Sequence, residues 1–286
     1  MRKLILLAIM TLSGLSALAY DARIDGICYN FSGSEATVTY RDNKYNSYSG
    51  SVVIPKSVTY NGTTYSVTSI GYCAFKSCSD MSSVTIQNSV TSIGVGAFIG
   101  CQGLTAVTIP NSVDSIGGHA FQACSSLSSV IMGNDVTDIG YAAFYNCGSL
   151  TSITIPESVT SIGEYAFTAC TGLTSITVEK GNTVYDSRDN CNATIETATN
   201  TLVVGCQNTF IPNSVTAIGS AFTDCDNLIA ITIPSNVKSV GAHALAGCDS
   251  LTDVYCLAEE VPETEQNAFE NTPIEDATLY VPAVFS

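Results

Sequence analysis

One pattern of hydrophobic and polar positions returns along most of the chain with a step of 23 residues. Each copy reads Leu-x-x-Ile-x-Ile-Pro, then Val-x-x-Ile-Gly, then Ala-Phe-x-x-Cys, as residues 150–170 show. The cysteine of the pattern recurs at Cys78, Cys101, Cys124, Cys147, Cys170, Cys225 and Cys248. A fixed step of this length is typical of a solenoid, in which each coil buries its apolar side against its neighbours.

The spacing inside one copy changes, and each part predicts a different local structure. Residues 153–155 alternate with period two, which predicts a short strand that Pro156 ends. Residues 159–163 predict a second extended segment with a glycine turn, and Ala166 and Phe167 begin a helical turn or an irregular arc. We therefore expect a solenoid of the α/β class, with a curved parallel β-sheet on one face and short strands and arcs on the other.

This combination of positions resembles the BspA-like leucine-rich repeat family over roughly residues 65–269. The resemblance is specific, because several positions of different residue type recur together. It implies a leucine-rich-repeat solenoid with a surface or secreted role in attachment to host or neighbouring-cell components. The family has no catalytic motif to match, so the resemblance implies a binding protein rather than an enzyme, with no cofactor.

The segment before the repeats is different in kind. Residues 20–65 contain seven of the 14 tyrosines and alternate in a manner typical of strands. Asn61 and Gly62 predict a hairpin turn, because this pair readily adopts positive φ angles. The segment is interpreted as a β-hairpin cap over the first coil, with a tyrosine-rich interaction surface as the alternative.

The solenoid itself is predicted over residues 66–286, with two irregular places. The step between Val178 and Ile211 is 33 residues, so residues 179–210 hold an insertion. Its residues 194–204 predict a small hairpin that projects from one edge, either as a functional loop or as a tolerated excursion. The chain then ends in a divergent C-terminal repeat.

Residues 1–19 have the pattern of a cleaved secretory signal, with Arg2 and Lys3, a short apolar run and small residues near Ala19. The run is too short for a good membrane span, and nothing later approaches one. We expect an exported chain without a transmembrane span, either secreted or at the outer cell surface. Removal of residues 1–19 takes away Arg2 and Lys3 and leaves 10 − 2 = 8 basic against 25 acidic residues. This charge argues against nucleic acid and anionic membranes as partners.

The 12 cysteines raise the question of disulfides. Seven of them share one repeat position, and in-register side chains point alongside one another, so this structural cysteine ladder is interpreted as buried thiols. Cys191 and Cys206 flank the predicted hairpin and are the best disulfide candidates. No metal is expected, because Cys-x-x-Cys pairs are missing and residues 186–190 lack the spacing of a calcium loop. His119 and His243, on distant copies, are expected to face solvent without a shared site.

The outward position of each predicted strand supplies the candidate binding face. It is a ladder of small hydroxyl side chains, interpreted either as a solvated strand surface or as a platform for an extended partner. A protein of the host or of another bacterial surface is the expected partner, and a glycan is the alternative. The candidate residues are Thr85, Thr108, Thr154, Thr177, Thr232 and Tyr255.

Overall fold

The computed structural model describes residues 20–41 and 46–282, so the predicted signal segment lies outside it. The described chain is built from short strands and one 3-10 turn, Arg188–Asn190. None of its helices is long and apolar enough to cross a membrane. The strands are β1 Ala22–Ile24, β2 Ile27–Ser32, β3 Glu35–Thr39, β4 Gly50–Ile54, β5 Ser57–Tyr60, β6 Thr63–Ile70, β7 Met81–Ile86, β8 Ser92–Ile93, β9 Ala106–Thr108, β10 Ser115–Ile116, β11 Ser129–Ile131, β12 Asp138–Ile139, β13 Ser152–Ile155, β14 Ser161–Ile162, β15 Ser175–Val178, β16 Tyr185–Asp186, β17 Thr194–Glu196, β18 Thr201–Val204, β19 Ala217–Ile218, β20 Ala230–Ile233, β21 Ser239–Val240, β22 Asp253–Cys256, β23 Glu263–Thr264 and β24 Thr278–Tyr280.

Each regular coil contributes two strands, which stack in parallel on the coils before and after it. The first series, here called the strand face, contains the pairs β4–β7, β9–β11 and β13–β15 and the three-stranded sheet β20–β22–β24. The second series runs β6–β8–β10–β12–β14 and, after an interruption, β18–β19–β21–β23. The predicted alternation is confirmed, since Ile153 and Ile155 are buried while Ser152 and Thr154 are exposed. The chain is therefore a solenoid of parallel sheets.

The third side of each coil is an arc of turns that runs from the glycine of the Ile-Gly pair to the repeat cysteine. Its backbone bonds to the next coil, as where Phe98 N donates to Ala120 O over 2.7 Å. His119 and Ala123 both have φ of 58°, and residues in this left-handed conformation do not continue an α-helix. The residues that the structure describes contain no α-helix, so the fold is a β-solenoid, and the α/β expectation is corrected.

A column of phenylalanine rings fills the core behind the arcs. Successive rings from Phe75 to Phe167 stack with centroids 5.0 to 5.4 Å apart and planes within 7° of parallel. The column is regular because each phenylalanine ring comes from the same position of successive repeats. Such stacked apolar faces, removed from water, supply most of the favourable energy of a repeat fold.

The N-terminal residues form antiparallel strands against the first coil. Strands β1, β2 and β3 pair in sequence order, and β3 then lies parallel to β6. Ala36 and Val38 of β3 are fully buried. The predicted turn is confirmed, because β5 and β6 form a hairpin in which Asn61 has φ of 49° and Gly62 has φ of 80°.

The insertion replaces one coil of the solenoid. The predicted hairpin is confirmed as β17 and β18, but it does not project, because β18 pairs in parallel with β19 and both Ile195 and Leu202 are buried. Leu202 lies opposite Ile218, so Val203 lies opposite the repeat glycine Gly219. From Val203 to Ile211 the chain uses 211 − 203 = 8 residues, whereas the preceding coil uses 178 − 163 = 15 between Gly163 and Val178. The inserted coil therefore has no arc.

The acidic segment at the start of the insertion is used internally. The Arg188 guanidinium donates to Asp186 Oδ1 over 2.8 Å and pairs with Oδ2 over 2.6 Å. It also donates to Asn200 Oδ1 over 2.8 Å. The hydrogen bond to Asn200 ties the 3-10 turn to the turn of the β17–β18 hairpin.

Candidate functional site

The predicted binding residues lie on the strand face, where they form a shallow and weakly polar surface. Thr108 lies opposite Ile131, and Thr232 lies opposite Tyr255. The hydroxyl oxygens of Thr154 and Thr177 are 3.1 Å apart, so these side chains bond to each other across the strands. Tyr255 is half-buried. The five threonines are exposed, namely Thr85, Thr108, Thr154, Thr177 and Thr232.

Larger side chains lie at two places on this face. Thr85, Thr108 and Ile131 line a shallow depression of about 530 Å³, and 60% of Ile131 is exposed. The Tyr255 ring stacks on Tyr280 with centroids 4.3 Å apart and planes 8° from parallel. The described strands of this face thus carry a stacked aromatic pair towards their C-terminal end.

The ladder cysteines lie at the inner corner where each arc returns to the strand face. Burial raises the pKa of the Cys78 thiol to about 11 and the pKa values of Cys170 and Cys248 to about 12. Such thiols stay protonated and can donate hydrogen bonds. A thiol donates to the carbonyl of a phenylalanine in the coil before it, over 3.1 to 3.2 Å, at Cys101, Cys124, Cys147, Cys170 and Cys248.

The cysteines around the insertion behave differently. Cys225 belongs to the coil that follows the missing arc and is half-buried. Cys191 and Cys206 are separate buried thiols, and the candidate disulfide between them is not formed in the structure. Their sulfurs donate instead to backbone carbonyls, Cys206 to Asn192 O over 3.5 Å.

A cavity of about 430 Å³ opens on the arc side of the solenoid, at the interruption. We call it the arc cavity. Its walls come from coils on both sides of the insertion, and they carry three tyrosines and two histidines. The lining residues are His119, Gln122, Tyr141, Ala142, Tyr145, Tyr165, Thr168, Thr223, Asp224 and His243.

Two irregularities of the repeat create the arc cavity. The inserted coil lacks an arc, so the arcs that begin at Gly163 and Gly219 face each other directly. The second of these is also one residue short, because the step from Ile211 to Ile233 is 22 residues. This coil lacks the repeat position that Tyr165 occupies in one neighbouring arc and His243 in the other. With no side chain between them, the Tyr165 and His243 rings meet with centroids 6.3 Å apart.

The rings of the arc cavity stand at steep angles to one another. The planes of Tyr141 and Tyr165 are 89° apart, with centroids at 5.7 Å. The His119 ring meets Tyr141 at 69° and 5.2 Å, and the His243 ring meets Tyr165 at 62°. Edge-to-face contacts of this kind are favourable, and they hold the rings of neighbouring coils together along the wall of the cavity.

Carboxylates and amides complete the arc cavity. The Tyr145 hydroxyl donates to Asp224 Oδ2 over 3.3 Å, and burial together with the Asp224 charge raises the pKa of Tyr145. His243 is fixed by the coil after it, with Nε2 2.9 Å from Asn267 Nδ2 and Nδ1 3.4 Å from Glu270 Oε2. Hydrogen bonds thus position two of the side chains that line the cavity, Tyr145 and His243.

A second cavity of about 240 Å³ adjoins the arc cavity, with which it shares Tyr165 and Asp224. It lies at the position of the missing arc, where Phe167, Cys170 and Cys225 are among its lining residues. Gly205 lies against the Phe222 ring, where a Cβ atom would come within 2.5 Å of the ring. The phenylalanine column is thus broken at the interruption.

The arc cavity was not among the sites predicted from the sequence. The histidines do not simply face solvent, because His119 and His243 line the same cavity and are both half-buried. His119 Nδ1 is buried and has no hydrogen-bond partner among the described residues. The available signal was the 22-residue step before Ile233, which follows the long step and removes one arc residue.

Comparison with known proteins places these features in context. A family model described as "BspA type Leucine rich repeat region" matches residues 68–196 and 192–282, with 6 copies. A search of curated protein sequences gave no significant match.

Solved structures share the fold. The pneumococcal vaccine antigen PcpA is 18% identical, with a TM-score of 0.66 over 92% of this chain and 82% of that chain. A leucine-rich repeat protein from Bacteroides ovatus is 25% identical, with a TM-score of 0.63 over 93% of this chain and 72% of that chain. The leucine-rich repeat protein of T. pallidum is also 25% identical, with a TM-score of 0.53 over 81% and 90%.

Proposed function

Because the chain belongs to the BspA-type leucine-rich repeat family, we propose that it is an exported, non-catalytic protein that binds proteins on the surface of host or neighbouring cells. Solenoids present long continuous surfaces, and binding of macromolecules is the use to which repeat folds are commonly put. The similar fold of a vaccine antigen and the signal-like residues 1–19 support an extracellular location.

The observation that carries this proposal is the arc cavity. The regular coils expose mostly small side chains, whereas this cavity gathers Tyr141, Tyr145 and Tyr165 around the Asp224 carboxylate. Interfaces derive most of their binding energy from a few aromatic or charged anchors in concave sites. The strand face has few such anchors, so we assign partner recognition to the arc side and treat the predicted threonine ladder as scaffold.

A pull-down tests this assignment. The chain from residue 20 onwards is immobilised and exposed to host matrix proteins and to proteins of other bacterial surfaces. We expect a protein partner that the Tyr165→Leu variant loses and that the strand-face variant Thr108→Lys retains. Capture that is lost only with Thr108→Lys would place recognition on the strand face, and no capture by the folded chain would contradict the protein-binding proposal.

Glycan binding is the second candidate function, and the stacked pair of Tyr255 and Tyr280 favours it. Tyr280 is 44% exposed, and the flat apolar face of an aromatic ring can pack against the C–H groups of a sugar. A glycan array decides between the two candidates, because binding to defined glycans that is lost in Tyr280→Ala would support this one.

A further inference from the structure

The arc cavity lies in a strongly negative part of the molecule. Asp224 lines it, Glu164 lies beside Tyr165, and neither lysine nor arginine is among the lining residues. Burial raises the pKa of Asp226, and the nearby charges of Asp249 and Asp224 raise it further. Carboxylates therefore crowd this edge of the cavity, and a ligand that brings positive charge would relieve their repulsion.

The aromatic walls favour a cation of a particular shape. A cation is attracted to the face of a tyrosine ring, and a planar guanidinium can also stack on it. The Tyr141 and Tyr165 rings already touch each other edge to face, with centroids 5.7 Å apart, so a cation would stack on the outer face of one ring and not enter between the two. Both nitrogens of His243 are engaged by Asn267 and Glu270, which leaves its ring to act as a wall.

The Asp224 carboxylate is placed to pair with such a group. Its Oδ2 atom accepts one hydrogen bond, from Tyr145 over 3.3 Å, and a carboxylate has about four acceptor sites. A guanidinium can donate two parallel hydrogen bonds to one carboxylate, which an ammonium group cannot do. The cavity of about 430 Å³ is large enough for the side chain that carries it.

From these observations we infer that the arc cavity binds an arginine side chain on an exposed segment of the protein partner. The inference rests on the proposed protein-binding function and names the chemistry of its anchor. The guanidinium pairs with Asp224 and packs against Tyr165 and Tyr141. The acidic charge of the whole chain, with 25 acidic against 10 basic residues, attracts a basic segment over a longer distance.

Fluorescence anisotropy with a labelled peptide, acetyl-Gly-Gly-Arg-Gly-Gly-amide, tests the inference. The matched probes replace arginine by citrulline, which has the same shape without the charge, or by lysine. We expect the arginine peptide to bind about tenfold more tightly than the citrulline peptide, since charge-assisted bonds are roughly twice as strong as neutral ones. Lysine should fall between them. Equal binding of arginine and citrulline peptides would overturn the inference.

Variants of the cavity make the test specific. Asp224→Asn removes the charge and suits the left-handed backbone there, where φ is 51°. Tyr165→Leu keeps apolar bulk and removes the π face. Each should weaken the arginine peptide by about tenfold, as loss of an interface anchor does. The controls Asp114→Asn and Tyr72→Ala lie on other coils and should change the affinity less than about twofold, with all variants checked for native unfolding midpoints.

The outcomes separate this inference from the proposed function. Binding of the arginine peptide that is lost in Asp224→Asn supports the inference even if no partner is captured in the pull-down. Capture of a partner that depends on Tyr165 but not on Asp224, with no binding of the arginine peptide, overturns the inference and leaves the proposed function standing. A neutral glycan that competes for Tyr165, while the arginine peptide fails to bind, overturns both.

Discussion

Single residues of the repeat are selected for close packing between coils, and the ladder cysteine shows this most clearly. Its thiol is small enough for the inner corner and donates to a carbonyl of the preceding coil, as Cys147 does to Phe121 O over 3.2 Å. The Phe121 carbonyl already accepts the Cys124 amide of its own coil over 3.2 Å, and a carbonyl oxygen has two lone pairs. The thiol is therefore a second donor that comes from the next coil. The recurring cysteine thus links neighbouring coils through a side chain, which gives a reason for its position that the repeat pattern alone did not contain.

Stability should fall as pH rises above about 8.5, because the ladder thiols ionise more easily in the unfolded chain. Folded Cys170 and Cys248 keep their protons up to a pKa of about 12. Below about 8.5 both states are protonated and the effect vanishes, whereas above it each thiol costs up to about 1.4 kcal/mol per pH unit. Urea midpoints at pH 7.5 and 9.5 measure this, and this range avoids most tyrosine ionisation.

The double variant Cys170→Ala, Cys248→Ala supplies the control. It should be less stable at pH 7.5, because it loses buried side chains and two hydrogen bonds. Its midpoint should nevertheless change less between the two pH values than that of the native sequence. An equal pH dependence in both proteins would show that other groups are responsible.

At the scale of the element, the structure corrects the role of the repeat glycine. Gly117, Gly140 and Gly163 do not adopt positive φ, so they are not needed for a left-handed turn. A Cβ atom at Gly140 would lie 2.5 Å from Gly118 N and 2.7 Å from Gly117 C. The glycine is needed because the backbone of one coil lies directly on the backbone of the next, and the positive φ angles occur further along the arc.

Gly140→Ala should destabilise the protein by about 1 to 3 kcal/mol, because the added methyl group must displace backbone of the neighbouring coil. Gly219→Ala is the matched control, since its Cβ atom would meet Leu202 O at 3.3 Å, a tight contact that a shift of a few tenths of an ångström relieves. Both changes reduce the freedom of the unfolded chain to the same extent. Chemical unfolding of the two variants therefore isolates the steric term, and equal losses would contradict the close stacking of the coils.

The strands could be predicted from the sequence and the arcs could not, for physical reasons. Period-two alternation around Ile153 leaves a single way to bury the apolar side, so both the strand and its parallel register follow. In the arc, residues as different as His119, Tyr165 and Gly96 share one left-handed backbone position. Hydrogen bonds between coils, which no local propensity encodes, hold that conformation.

At the scale of the whole molecule, the interruption divides one solenoid into two stacked parts and forms the candidate site between them. The buried side chains form two clusters, one centred on the coils before the insertion and one on the coils after it. The 33-residue step from Val178 to Ile211 predicted an insertion. The position of the extra residues in space, however, depends on the missing arc. The arc cavity therefore could not be derived from the repeat pattern, because it consists of what two irregular coils leave empty.

In the second strand series, a hydrogen bond to the Tyr185 side chain links the two parts, and this link can be tested. Strand β14 has no strand partner after it among the described residues, and the Ile162 amide donates instead to the Tyr185 hydroxyl over 3.2 Å. Tyr185→Phe removes this acceptor while it keeps the buried ring. We expect hydrogen exchange at the Ile162 amide to accelerate about fivefold, which corresponds to one hydrogen bond of about 1 kcal/mol.

Exchange elsewhere distinguishes local coupling from general loosening. The Gly117 and Gly140 amides donate to Ile93 O and Ile116 O within the first part, so their exchange should be unchanged in Tyr185→Phe. Tyr141→Phe removes a hydroxyl from an exposed ring on the neighbouring coil and should leave Ile162 unaffected. Because repeat proteins couple mainly through nearest neighbours, a uniform acceleration across both parts would mean that the interruption is no weaker than any other junction between coils.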